Sequence, residues 1–150
     1  MFFGETAINL DAKGRLAVPM RYREELLEQC ENRMVLTYSA FDSGALWLYP
    51  EKIWEGIRSE VMALPNQNPS HRSLQRRLVG SATAVSPDGS GRILLAPSLR
   101  QVASMEKRVV MLGMGNRFEI WNENTLNQRR VEEEGSLNGL PSEEMSRLVF

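Results

Sequence analysis

The sequence predicts a mainly β (α+β) chain. Two tandem βαββ-type repeats are expected to complete one pseudo-two-fold β-barrel, with helices at its periphery. Three observations predict it. First, the stretch Thr6-Ala7-Ile8-Asn9-Leu10-Asp11-Ala12-Lys13-Gly14-Arg15 returns 77 residues later as Thr83-Ala84-Val85-Ser86-Pro87-Asp88-Gly89-Ser90-Gly91-Arg92, identical at five of ten positions. Second, each copy is followed by the same order of runs: a short strand ended by proline (Pro19, Pro97), a helix and a pair of strands. Third, a unit of about 45–50 residues is small for a core of its own. One closed barrel built from both copies supplies that core and removes the sheet edges.

Residues 5–10 alternate in the manner of a strand, and Asp11-Ala12-Lys13-Gly14 reads as a turn. Arg15 to Val18 is a second strand, closed by Pro19, which has no N–H for a ladder. The two strands are expected to form a hairpin with a basic tip. Met20 to Glu28 reads as a helix, Arg33 to Tyr38 and Ala45 to Tyr49 as strands, and Asp42-Ser43-Gly44 as the turn between them. Pro50 suits the start of a further helix, whose apolar stripe is Ile53, Trp54, Ile57, Val61, Met62 and Leu64. The run Pro65 to Ser70 is the clearest break, with a helix expected from about Ser70 to Leu78. The second copy repeats the order: strands at 83–86 and 92–96, Ser98 capping a helix over 99–103, and strands at 108–113 and 117–121 joined by a turn at 113–116. A helix to about Glu134 follows, and 135–150 reads as a loop and a short terminal segment. These elements divide the chain into a first module at 5–52, a helical linker at 53–80, a second module at 81–124 and a C-terminal helix and tail at 125–150.

Composition narrows the function classes. The apolar fraction is 42% and the charged fraction 25%, ordinary for a globular chain, and no apolar run has the length of a membrane span. Met1-Phe2-Phe3 meets Gly4 and Glu5 at once, too short for a signal peptide's apolar region. Cys30 is the single cysteine, so no internal disulfide forms and a reducing cytoplasm fits best. One His and one Cys cannot build a structural zinc site, so no metal or other cofactor is expected. No nucleophile–base set or paired carboxylates emerge, which argues against an enzyme and against a small-molecule substrate. The formal net charge is −1, but nucleic-acid binding needs a local basic surface and not a basic total. Such a surface lies at Lys13, Arg15, Arg21 and Arg23, four cations with no acid between them.

The pattern Asp-x-x-Gly-Arg-hydrophobic followed by proline, a helix and a strand pair resembles the AbrB/SpoVT-like swapped-hairpin DNA-binding modules. Two tandem copies, each with Asp-x-x-x-Arg (Asp11 to Arg15, Asp88 to Arg92), extend that resemblance over nearly the whole chain. So do Met-Phe-x-Gly at the start and Leu46-Trp47-Leu48-Tyr49-Pro50. The resemblance implies a cytoplasmic, nucleoid-associated transcriptional regulator acting at the promoter of the cell division and cell wall gene cluster. It further implies a ring-shaped homo-oligomer whose hairpin face binds direct repeats in double-stranded DNA. It marks Asp11, Arg15, Asp88 and Arg92 as the shared motif.

Two readings of each candidate stand side by side. Asp11 and Arg15 either tie a turn with an exposed ion pair worth about 0–1 kcal/mol, or Arg15 and Lys13 meet DNA, Arg being suited to bidentate contact with guanine. Copy two carries Gly89-Ser90 where copy one carries Ala12-Lys13, so Arg92 leans toward a structural or subunit role. Arg21 and Arg23, at a helix start, face either water or phosphate. Trp47, Trp54 and Trp121 are expected as core or interface anchors. The competing function is an antitoxin-like or scaffold protein that uses the same fold to bind a protein partner.

Overall fold

The computed structural model describes residues 1–137 and 141–150. Its elements are β1 (Phe2–Asn9), β2 (Arg15–Ala17), α1 (Met20–Cys30), β3 (Met34–Tyr38), β4 (Ala45–Pro50), α2 (Glu51–Met62), α3 (Pro69–Leu74), a π-helical turn (Gln75–Val79), β5 (Thr83–Val85), β6 (Arg92–Leu94), α4 (Pro97–Val102), β7 (Arg108–Gly115), β8 (Phe118–Asn122), α5 (Glu123–Leu137) and α6 (Glu143–Ser146). The strands make a six-stranded sheet, β1-β7-β8-β4-β3-β5, and a separate pair, β2-β6, all antiparallel. The chain is mainly β with helices, as the repeats predict, but the barrel does not close. β1 and β5 are the two free ends of the sheet. β5 is only three residues long, and Pro87 beyond it has no N–H to extend a ladder.

The expected hairpin between β1 and β2 is not formed. β1 pairs along its whole length with β7, from Phe2 opposite Gly115 to Asn9 opposite Arg108, and β2 pairs with β6. β5 in turn pairs with β3. The first strand of each copy therefore crosses to the third strand of the other. An isolated two-stranded hairpin is marginal in water. The crossing instead lets Leu16, Val18, Ile93 and Leu95, at most 2% exposed, share one core. The registers define a pseudo-dyad through the Leu16–Ile93 and Trp47–Glu119 pairs. Turns and helices correspond at an offset of 77, third strands at 75 (Met34 opposite Val85, Val109 opposite Ile8) and fourth strands at 72 (Leu46 opposite Ile120, Leu48 opposite Phe118).

The main core lies on one sheet face. α1 sends Tyr22, Leu26 and Cys30 into it at a spacing of four, and α4 sends Leu99. Phe2 packs against Tyr22 and Phe118, which draws the start of β1 back to residue 2 rather than the expected 5. On the opposite face α2 and the π-helical turn cover Val35, Trp47, Tyr49, Trp54 and Leu78, while α5 covers Ala45, Val110 and Trp121 through Leu126. All three tryptophans are buried. Several local expectations change. Ser98 does not cap: α4 begins at Pro97, whose fixed φ suits the first helical position. The helix expected at 70–78 begins at Pro69 behind an Asn68 cap (Ser70 N–H to Oδ1, 2.8 Å) and widens to π geometry at Gln75. Gly113 lies inside β7 and not in a turn. A Cβ there would sit 2.5 Å from the Phe3 nitrogen, so only glycine admits β1 this close. At the C-terminus α5 runs to Leu137 and α6 is capped by Ser142; the part of the expected loop at 138–140 lies outside the described residues.

Candidate nucleic-acid interface

Two turns meet at the pseudo-dyad. In the first, Gly14 N–H donates to the Asp11 carbonyl and Asp11 N–H to the Arg15 carbonyl, both at 3.0 Å. Asp11 Oδ1 accepts from the N–H of Lys13 and of Arg15, both at 2.9 Å. Gly14 holds φ +78°, which the missing Cβ makes inexpensive. The second turn copies this. Asp88 Oδ1 accepts from Ser90 N–H at 2.9 Å and Arg92 N–H at 3.0 Å, and Gly91 sits at φ +76°.

The second carboxylate oxygens join the turns. Arg15 Nε donates to Asp11 Oδ2 at 2.7 Å, and Arg92 Nε to Asp88 Oδ2 at 3.2 Å. Crosswise, Arg92 Nη1 lies 3.5 Å from Asp11 Oδ2 and Arg15 Nη1 lies 3.9 Å from Asp88 Oδ2. The four side chains form a charge-neutral quartet that spans both copies. The backbone N–H of Arg15 is the main cause holding the Asp11 carboxyl below the usual aspartate range, and that of Arg92 does the same for Asp88. A guanidinium has five N–H donors, and the quartet leaves some of them unengaged on each of the part-exposed Arg15 and Arg92.

A second pair of arginines crosses between the halves. Arg23 Nε donates to the Val18 carbonyl at 2.9 Å, and its guanidinium lies so close over Gly91 that a Cβ there would be 2.5 Å from Cζ. Arg100 does the same from the other half, donating to Leu95 O at 2.9 Å and lying over Gly14 with the same 2.5 Å limit. Each turn glycine is thus covered by a cation from the opposite copy.

The structure brings Asp11, Arg15, Asp88 and Arg92 together, with Arg23 over the second turn. Lys13 stands on the tip of the first, exposed and with no side-chain partner among the described residues. Arg21 is not brought to the turns: its Nη2 donates to Thr6 Oγ1 (2.5 Å) and Glu5 O (3.2 Å) along β1, and the guanidinium rests over Tyr22. Two cations beside the first turn fall outside the expected set, Arg100 and Lys107. Arg100 has a sequence signal, since it lies 77 residues after Arg23. Lys107 has none, because it arrives only through the crossing of β1 to β7, where Leu10 N–H donates to the Lys107 carbonyl at 2.7 Å. Arg72 and Arg77 serve nearby carbonyls, Asn66 O and Ser39 O, and Arg77 stacks on Tyr38. Among the described residues no group of three or more His, Cys, Asp or Glu is placed to hold a metal ion. Cys30 is buried, and desolvation pushes its thiol pKa up. No helix among the described residues is long and apolar enough to cross a membrane.

Comparison with known proteins gives a consistent result. The family model described as "MraZ protein, putative antitoxin-like" matches the chain twice, over residues 1–77 and 78–143. The chain is 50% identical over 123 residues to the transcriptional regulator MraZ of Stenotrophomonas maltophilia, covering 82% of this chain and 83% of that one. It is 50% identical over 123 residues to the protein of the same name from Xylella fastidiosa strain Temecula1, with the same coverage. It is 49% identical over 132 residues to that of Thioalkalivibrio sulfidiphilus, covering 88% and 87%.

Proposed function

The chain belongs to the MraZ family, whose curated relatives are named transcriptional regulators, and we propose that it regulates transcription by binding double-stranded promoter DNA through its two turns. The observation that carries this reading is the pair of turns locked at the pseudo-dyad. Lys13, Arg15, Arg23, Arg92 and Arg100 gather there, while Asp11 and Asp88 are already neutralised within the quartet. A rigid surface with unengaged guanidinium donors suits both phosphate and guanine. In this reading Lys13 and Arg15 contact DNA, and Asp11, Asp88 and Arg92 orient them. Arg23 adds a phosphate contact, and Arg21 flanks the DNA from β1. The protein acts in the cytoplasm, associated with the nucleoid, as a ring-shaped homo-oligomer on direct repeats in the promoter of the cell division and cell wall genes. Residues 53–80 join the two modules as a helical linker.

Lys13→Ala removes an exposed side chain that has no hydrogen-bond or ion-pair partner among the described residues, so stability is expected to stay at the parent value. Its affinity for the promoter duplex is expected to fall several-fold, with the salt slope reduced by about 1, as for the loss of one phosphate contact. Footprinting on the DNA upstream of the chain's own gene checks the location. Folded, oligomeric Arg15→Ala that protects this DNA as well as the parent does would rule out the turns as the reading surface. The family description also carries the words "antitoxin-like". Recovery of a stoichiometric protein partner with no DNA retention would favour that second reading.

A further inference from the structure

We propose that the cleft between the first turn and the second half of the chain seats one DNA backbone phosphate, held by Arg100 and Lys107. The inference rests on the DNA-binding reading and names the subsite that makes the interface directional. The fold builds this cleft twice. The first is a cavity of about 450 Å³ between the Asp11–Gly14 turn and Arg100, Glu106 and Lys107. The second, of about 240 Å³, lies between the Pro87–Gly91 turn and Arg23 and Asn32. Under the pseudo-dyad Arg100 corresponds to Arg23, Lys107 to Asn32, Leu10 to Pro87 and Lys13 to Ser90.

At three of these four positions the residues differ between the halves, and at Asn32, with φ +60°, the backbone differs from that at Lys107 as well. Lys107 replaces Asn32 in the lining, so the first cleft gains a cation, and Lys13 replaces Ser90 on the tip of the turn outside it. Leu10, unlike Pro87, has an N–H, and its bond to the Lys107 carbonyl at 2.7 Å pins Lys107 beside the turn. Of the two carboxylates at the first cleft, Asp11 is engaged by Arg15 and Arg92. Glu106 is the remaining negative charge. A phosphate seated here would therefore be attracted by Lys107 and Arg100 and opposed by Glu106. The smaller second cleft offers it one guanidinium. A dyad-symmetric interface would bind DNA equally in either orientation, whereas one strong and one weak phosphate seat fixes a direction.

The test is fluorescence anisotropy of the full chain on a promoter duplex across a salt series. Lys107 is exposed, and Lys107→Gln is expected to fold as the parent, bind about three- to tenfold more weakly and lose about 1 from the salt slope. Glu106→Gln is expected to bind more tightly than the parent. Asn32→Gly, which suits the φ of +60° at the mirror position, is expected to match the parent. If Lys107→Gln and Glu106→Gln both keep the parent's affinity and slope while Lys13→Ala still weakens binding, the seat is wrong and the DNA reading stands. If the parent itself shows no salt-dependent retention of DNA, both fall together.

Discussion

At Asp11 the two carboxylate oxygens serve different partners: Oδ1 closes the turn by accepting two backbone N–H groups, and Oδ2 pairs with Arg15 and, across the pseudo-dyad, with Arg92. Asp88 repeats both tasks. The tie between Asp11 and Arg15 was legible in sequence, because Asp-x-x-Gly-Arg is turn chemistry. The cross-pairs were not, since they depend on β2 meeting β6. The pH dependence follows from the direction of the shifts. Both carboxyls are held below the usual aspartate value of 3.8, chiefly by the backbone N–H of Arg15 and of Arg92. A depressed native pKa means that the unfolded chain takes up protons first as pH falls. Their stabilisation is therefore full above 3.8 and is lost as pH drops through the lowered native values. The double variant Asp11→Asn, Asp88→Asn is expected to be less stable than the parent at neutral pH, with the gap closing in strong acid. Urea midpoints measured at a series of pH values check this, and a gap that stays constant into strong acid would show that the carboxylates' charge does not matter.

Among the elements, the strands and helices were readable because prolines and turn glycines punctuate them, although α1 buries Tyr22, Leu26 and Cys30 and leaves the equally apolar Met20 and Leu27 exposed. What the residues alone could not show was which strand pairs with which; only the resemblance to swapped-hairpin modules implied an exchange. Turn chemistry at Asp11–Gly14 fits a hairpin and a crossing equally well. The choice is made by burial, since only the crossing puts Leu16 and Ile93 opposite each other at 0% exposure. Leu16→Ala is therefore expected to cost about 2–5 kcal/mol, the range for a fully buried leucine. Ile93→Ala is expected to cost a similar amount, and the pair to be non-additive because the two residues face each other in one core. Denaturant unfolding of the two single variants and the double variant measures this. Additive losses would mean that β2 and β6 are stabilised separately. Gly113→Val is a sharper probe of the β1 crossing, because its Cβ would meet the Phe3 backbone, which cannot yield as a side chain does. Overpacking of this kind costs about 1–3 kcal/mol, and hydrogen exchange should show β1 amides losing protection first.

At the scale of the molecule, the duplication was legible from five identical positions in ten, and the registers turn it into a pseudo-dyad with offsets of 77, 75 and 72. The open sheet was not legible, because closure fails at a feature as small as the three-residue β5. The same scale carries the remaining difficulty for the DNA reading: a net charge of −1. A single chain with a handful of phosphate contacts and no excess positive charge binds duplex DNA weakly. In the proposed ring, several copies present the same turns to repeated sites, and each binding event after the first becomes intramolecular. The gain in affinity from such linkage is typically about 10²–10⁴. A duplex with several direct repeats at their natural spacing is thus expected to bind about 10²–10⁴ times more tightly than a duplex with one. Inserting half a helical turn between repeats should remove most of that gain without changing the affinity for one repeat, because it rotates the sites off a common face. Anisotropy on the three duplexes, with sedimentation to report the oligomer present, makes the comparison. Equal affinity per site on all three would mean that the copies act independently, and that the chain's own turns supply all the binding there is.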